Sequence, residues 1–156
     1  MKQVLFICTG NTCRSPMAEA LTKEHLQKNP GLKEVWNVKS AGIFAADQER
    51  ATYQSIKVMD ERGVDLMGHK SQRLNSQLID ESDLVLAMTR NHKESVLLTE
   101  PRAEGKVFTL REYVQGEQED IQDPFGQNED AYRNTARELE RLIRQLVKKW
   151  EEEMEE

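Results

Sequence analysis

The chain alternates short, continuously apolar runs with longer stretches whose apolar positions recur at helical spacing. Val4-Leu5-Phe6-Ile7 is apolar throughout and partly β-branched, the pattern of a strand covered on both faces, as in a parallel sheet. It runs directly into Cys8-Thr9-Gly10-Asn11-Thr12-Cys13-Arg14-Ser15-Pro16. Ser15 followed by Pro16 predicts a helix start, with serine as the cap and proline first in the helix. Met17, Ala18, Ala20, Leu21 and Leu26 carry that helix to about Lys28, and Asn29-Pro30-Gly31 ends it. The first unit is therefore strand, tight loop, helix.

The alternation continues. Val35 to Val38 predicts a short strand, followed by Ser40-Ala41-Gly42. Gln48 to Arg62 predicts a helix stopped by Gly63. Leu74 to Glu81 predicts a short helix, Asp83 to Met88 a buried strand around Leu84-Val85-Leu86-Ala87, and Arg90 to Leu98 a helix broken before Pro101. Val107 to Leu110 predicts the last strand, and the polar stretch Glu112 to Gln127 a loop. Tyr132, Ala136, Leu139, Ile143, Leu146 and Trp150 then recur at alternating spacings of four and three, one apolar face of a long helix. About three heptads are too few for a coiled coil, so packing on the sheet is expected. The fold class is α/β: a three-layer open sheet of about four parallel strands with helices on both faces. Ligands should bind at the carboxyl ends of the strands.

Length and charge narrow the function. A chain of 156 residues fits one domain, expected over 1–150, with the acidic segment 151–156 expected to fray. The net charge of −6 disfavours a nucleic-acid binder, which needs a basic face. No apolar run approaches the ~20 residues of a membrane span, and Val4–Ile7 is too short for a signal sequence, so the expected location is cytoplasmic. The chain's two cysteines, Cys8 and Cys13, are too close together to staple distant segments, which excludes a secreted disulfide scaffold. His25, His69 and His92 have no metal-pair spacing and read as surface or supporting residues. No metal or cofactor is expected.

The chemistry lies between the first strand and the first helix. Backbone N–H groups of a strand-to-helix loop, with the helix dipole behind them, form a nest for a tetrahedral anion. Gly10 offers the backbone freedom of a tight loop. Asn11 tolerates left-handed backbone and can brace the loop through its amide. Arg14 can clamp two anion oxygens at once. Cys8 sits at the strand's end, where the positive field favours a thiolate nucleophile. The hydroxyls of Thr9 and Ser15 can orient the sulfur. A buried structural cysteine before an ordinary helix start is the bland alternative, but the full string at this position favours anion binding. A Walker A loop is absent: Gly105-Lys106 is followed by Val107, and no glycine lies five residues before Gly105.

The string Cys8 to Pro16 resembles the phosphate-binding loop of the low-molecular-weight protein tyrosine phosphatase family. Ser40-Ala41-Gly42, Asp83 to Met88 and Asp123-Pro124 resemble that family's second strand end, third strand and general-acid loop. The resemblance implies that Cys8 attacks phosphorus to form a cysteinyl-phosphate. It further implies that Arg14 clamps the phosphoryl oxygens, and that Asp123 protonates the leaving group and then activates water. Taken from the residues alone, Asp120, Asp123 and Asp130 are nearly equivalent candidates for that acid. Thr9, Gly10, Asn11, Thr12, Cys13, Ser15 and Phe125 are the expected substrate-binding residues.

The family's tyrosine phosphatases usually carry a bulky aliphatic residue where this chain has Thr12, and a tyrosine where it has Phe125. Thr12, Phe125 and Met88-Thr89 resemble the bacterial protein-arginine phosphatase branch instead. A planar, polar guanidinium would sit near position 12, stack on Phe125 and donate hydrogen bonds to Asp123. The expected function is thus hydrolysis of phosphoarginine in proteins, with a tyrosine phosphatase as the alternative. A phosphate-binding module or a cysteine phosphocarrier is disfavoured, because an arginine clamp and an acid favour turnover. Arsenate reductases share the fold and nucleophile, but Ser82 to Asn91 lacks the further cysteines that chemistry requires. In this family a second loop cysteine, here Cys13, can form a reversible disulfide with the nucleophile; a small residue facing the helix is the alternative. The expected partners are phosphorylated proteins, with no nucleic acid or membrane, and the protein itself is expected to be a monomer.

Overall fold

A computed structural model describes residues 1–117 and 119–155. Gln118, inside the loop expected over 112–127, and Glu156, at the end of the acidic tail, lie outside them. Strands β1 (Lys2–Cys8), β2 (Trp36–Gly42), β3 (Leu84–Ala87) and β4 (Val107–Thr109) form one sheet in the order β2-β1-β3-β4. All three pairings are parallel. Helices α1 (Arg14–Gln27), α2 (Pro30–Lys33), α3 (Tyr53–Glu61), α4 (Ser76–Glu81), α5 (Arg90–Thr99), α6 (Leu110–Gln115) and α7 (Glu129–Met154) surround it, with a 3₁₀ turn at Pro101–Lys106.

The continuous apolar run of β1 is explained by its two faces. Val4, Phe6 and Cys8 join one core with Met17 and Leu21 of α1 and Leu139, Ile143 and Leu146 of α7. Leu5 and Ile7 join a second core with Val85, Ala87, Ile79 of α4 and Val96 of α5. Successive side chains of a strand point to opposite faces, so a strand buried on both has no polar positions to show. Each such fully buried aliphatic contributes about 1.5–3 kcal/mol over an exposed one. The apolar face of α7 packs against α1, α3 and α6, and Trp150 stacks on Trp36 with ring centroids 4.2 Å apart. The helix continues through Met154 into the segment expected to fray, with Glu151 accepting a hydrogen bond from Asn29. Among the described residues, no helix is long and apolar enough to cross a membrane.

Several boundaries differ from expectation. Helix α1 begins at Arg14, with Cys13 in the cap position and no side-chain cap, because the Ser15 hydroxyl bonds the Cys8 sulfur and the Asn11 amide instead. The helix expected from Gln48 starts at Tyr53, capped by Thr52. Residues 47–49 spend their hydrogen bonds on the facing segment: Gln48 N donates to Ser71 O, Glu49 N to Ser71 Oγ, and Asp47 accepts from Arg73 N. The polar stretch after β4 is not all loop. Thr109 and Glu112 form a reciprocal capping box that starts α6, and Gly116, left-handed at φ 73°, ends it.

The strand order places the site. The chain leaves β1 toward β2 on one side and returns past it to β3 on the other. The carboxyl ends of β1 and β3 therefore flank the switch point, where open parallel sheets bind ligands.

Candidate active site

Cys8 ends β1 and is 2 % exposed, with its Sγ 2.9 Å from Ser15 Oγ. The loop that follows is held by its carbonyls. Cys8 O accepts from Ile43 N at 3.0 Å, Thr9 O from Phe44 N at 2.9 Å and Thr12 O from Thr52 N at 2.9 Å. Asn11 O accepts from His69 Nε2 at 2.7 Å. In a planar trans peptide the C=O and the next N–H point in opposite directions. With these carbonyls turned to the framework, the N–H groups of Thr9, Gly10, Thr12 and Cys13 turn the other way. That builds the anion nest from the outside inward.

The left-handed residue of the loop is Asn11, at φ 56°, rather than Gly10, whose φ is not positive. The strain is stabilised by the fully buried Asn11 side chain. Its Nδ2 donates to Ser15 Oγ at 2.8 Å and Ser40 Oγ at 2.9 Å, and its Oδ1 accepts from Gln72 N at 3.0 Å. Ser40 in turn donates to Glu19 Oε1. Gly42 serves the same loop by what it lacks: a Cβ there would lie 2.6 Å from Thr9 O and 2.8 Å from Asn11 N.

Arg14 is 4 % exposed. Its Nη1 donates to Ile121 O at 2.9 Å, and its Nη2 lies 3.5 Å from Asp123 Oδ2. Ile121 N donates to Met88 O, so the end of β3 anchors the loop that carries the acid. Asp123 Oδ1 also accepts from Phe125 N at 3.0 Å, while its side chain stays half exposed. Asp120 accepts from Arg90 N and pairs with the Arg90 side chain, and Asp130 pairs with Arg133. Of the three aspartates, the structure brings only Asp123 to Arg14.

A cleft of about 330 Å³ is lined by Cys8, Thr9, Gly10, Thr12, Cys13 and Arg14, and further by Phe44, Ala46, Glu49, Asp123 and Phe125. The expected site residues thus meet in one place, except that Asn11 and Ser15 lie buried beneath the loop as braces. Cys13 lines the cleft, but its Sγ faces Tyr132 OH and Thr52 Oγ1, each at 3.6 Å. Burial and the thiol contact push the Tyr132 hydroxyl up to about 12, so it remains protonated. Both cysteines are free thiols. The Thr9 hydroxyl departs from expectation: its partner is His92 Nε2 at 2.8 Å, not the Cys8 sulfur.

Sequence reasoning gives His69 and His92 only as surface or supporting residues and misses Gln72, Phe44 and Glu49. They reach the site through tertiary contacts, and no local pattern marks them. Among the described residues, no cluster of His, Cys, Asp or Glu could hold a metal ion. Chemically, the arrangement presents a thiol nucleophile, a nest for a tetrahedral anion, a fixed guanidinium and a half-exposed carboxyl above them.

The comparisons with known proteins agree with this chemistry. The family described as low molecular weight phosphotyrosine protein phosphatase matches residues 3–156. A protein-arginine-phosphatase of Bacillus subtilis is 47% identical over 93% of this chain and 94% of its own length. Another, of Geobacillus stearothermophilus, is 43% identical over 97% of each. A solved structure of the YwlE arginine phosphatase, a Cys-to-Ser mutant with a phosphorylated active-site serine, superposes with a TM-score of 0.91. It is 45% identical and covers 96% of this chain and 95% of its own.

Proposed function

The chain belongs to the low molecular weight phosphotyrosine protein phosphatase family, and from that premise we propose that it hydrolyses phosphoarginine in proteins through a cysteinyl-phosphate on Cys8. The Cys8 thiolate attacks phosphorus from the floor of the cleft. The loop N–H groups and the Arg14 guanidinium hold the equatorial oxygens as charge redistributes. The P–N bond breaks, and the leaving guanidine takes a proton from Asp123, because a poor leaving group departs unprotonated only at high cost. Asp123, now a carboxylate, removes a proton from water. That water displaces the sulfur, releasing inorganic phosphate and the thiolate.

The observation that carries the arginine reading is the composition of the wall above the loop. Thr12 and Asp123 line it beside Phe125, giving a guanidinium a hydroxyl acceptor, a carboxyl group and an aromatic face. The similarity to relatives named protein-arginine-phosphatase supports it. Phe44 and Phe125, both exposed at the rim, favour the second reading, a tyrosine phosphatase, because they would also suit a phenyl ring. The catalytic unit is residues 1–150, acting as a cytoplasmic monomer on phosphorylated proteins. Cys13 is the thiol that would capture an oxidised Cys8 as a disulfide, with loss of water from the sulfenic acid.

Side-by-side hydrolysis of phosphoarginine and phosphotyrosine peptides tests the proposal. A higher kcat/KM on phosphoarginine is the expected result. Preference for phosphotyrosine would replace the reading with the second one.

A further inference from the structure

Behind the catalytic loop lies a buried histidine that the mechanism above leaves unused. His92 is 7 % exposed. Its main-chain N–H donates to Thr89 Oγ1 at 3.1 Å as part of the α5 cap. Its ring Nδ1 lies 2.9 Å from that same hydroxyl, and its Nε2 lies 2.8 Å from Thr9 Oγ1. Burial, helped by the charge of Arg14, lowers its pKa to about 4. At neutral pH the ring is therefore uncharged, with a single N–H to place on one nitrogen or the other.

The hydroxyls on either side decide where that proton goes. Thr89 Oγ1 already accepts the His92 main-chain N–H and has one proton of its own to give. If it gives that proton to Nδ1, the ring proton sits on Nε2 and is donated to Thr9 Oγ1. Thr9 then keeps its own proton for an acceptor in the cleft. In the reverse order Thr9 spends its proton on Nε2 and turns lone pairs toward the cleft. A phosphoryl anion bound there attracts a hydroxyl proton and repels lone pairs, so substrate binding selects the first order.

We propose that His92 is a positioning residue that sets the Thr9 hydroxyl as a hydrogen-bond donor to the bound phosphoryl group. The proposal rests on the phosphatase reading and adds to it a relay running from the cap of α5 to the catalytic loop. It also explains why Thr9 pairs with His92 instead of the Cys8 sulfur: the hydroxyl serves the substrate and Ser15 serves the thiol.

The test is a double-mutant cycle on Thr9→Val and His92→Phe. It reads kcat/KM on phosphoarginine and the competitive inhibition constant of inorganic phosphate. Each single variant is expected to weaken both by about tenfold, the size of one charge-assisted hydrogen bond. The double variant should be no worse than either single one. His92→Gln, which keeps a side-chain N–H donor, should recover part of the loss. Nitrogen NMR of the phosphate-bound enzyme should show the neutral ring protonated on Nε2. A full tenfold loss from His92→Phe in the Thr9→Val background would overturn the proposal, as would a ring protonated on Nδ1 with phosphate bound. If His92→Phe does not fold, the NMR result and the His92→Gln cycle decide. A wild type inert toward both phosphoarginine and phosphate esters would sink the phosphatase reading itself. An active wild type with unaffected variants would sink only the relay.

Discussion

The floor and the rim of the cleft are built in opposite ways. The floor comes from one unbroken stretch, Cys8 to Ser15, whose key side chains are buried and whose carbonyls are tied to distant segments. The rim is assembled from two segments far apart in sequence, one carrying Phe44 and Glu49 and the other Asp123 and Phe125, and all four residues are exposed. Phe44 is 76% and Phe125 67% exposed. The difference follows from what each part must recognise. A phosphoryl group is the same whatever it is attached to, so its cradle can be rigid and preorganised. The leaving group varies, and the residues that meet it stand free of the core, where they can change without disturbing the fold.

The sharpest way to break this comparison is at the nucleophile. Cys8→Ser should abolish turnover while the fold and phosphate binding persist, because the floor's N–H groups and Arg14 remain and only the thiolate is lost. Steady-state hydrolysis and phosphate binding by calorimetry check this. Substantial turnover by the serine variant would mean that the floor does not hold the nucleophile.

Asp123 tests the other region. Asp123→Ala should slow hydrolysis by about 10²–10⁴-fold, the usual worth of a positioned acid. The loss should shrink for an ester with a good leaving group such as p-nitrophenol. An equal loss on both substrates would mean that Asp123 acts through its contact with Arg14 instead of through proton transfer.

Gly42→Ala tests how tightly the floor is held. The new Cβ would meet main-chain atoms of Thr9 and Asn11 at 2.6 and 2.8 Å, which are not free to swing aside. A loop displaced by about 1 Å should lose roughly 10²-fold in kcat/KM, with a stability cost of about 1–3 kcal/mol from overpacking. Kinetics and thermal melts read the two effects separately. An unimpaired alanine variant would show that the loop tolerates movement.

The floor was also the part legible in the sequence. A strand, an anion-binding loop and a helix in one short segment carry their own logic, and the tolerance of Asn11 for left-handed backbone already marks it as a brace. The loop's true left-handed residue could not be assigned, because Gly10 and Asn11 are both permissive; the partners Ser40 and Gln72 decide it. The start of α1 lies two residues before the one the sequence predicts, for a related reason: Ser15 is an excellent cap in isolation, but its hydroxyl is claimed by Cys8 and Asn11. Helix α6 was hidden because Leu110 reads as the last residue of a strand, which obscures the capping box around it. Of the rim, Asp123 and Phe125 are legible only by resemblance, and Phe44 and Glu49 are not legible at all. Asp123 is distinguished from Asp120 and Asp130 by its contact with Arg14, and that contact depends on Ile121 reaching Met88 across the fold.

The smallest expected effect concerns the residue that joins the two regions. Thr12 belongs to the floor by its backbone, since its carbonyl accepts from Thr52 N. It belongs to the rim by its partly exposed side chain, which lines the cleft. The loop N–H groups, Cys8 and Arg14 cannot tell phosphoarginine from phosphotyrosine, so discrimination must come from the atoms around the leaving group. A phenyl ring is satisfied by an aliphatic wall. A guanidinium facing such a wall would leave an N–H donor buried without a partner, at a cost of about 1–3 kcal/mol, or roughly 5- to 150-fold in rate if it is felt in the transition state. Thr12 avoids this by supplying an acceptor and less bulk. Thr12→Ile should therefore lower kcat/KM on phosphoarginine by a factor in that range and raise the relative activity on phosphotyrosine. Specificity constants for both substrates on both proteins measure the shift. If the ratio stays the same, the floor's own side chain plays no part in selection, and Phe44, Glu49 and Phe125 must carry it alone.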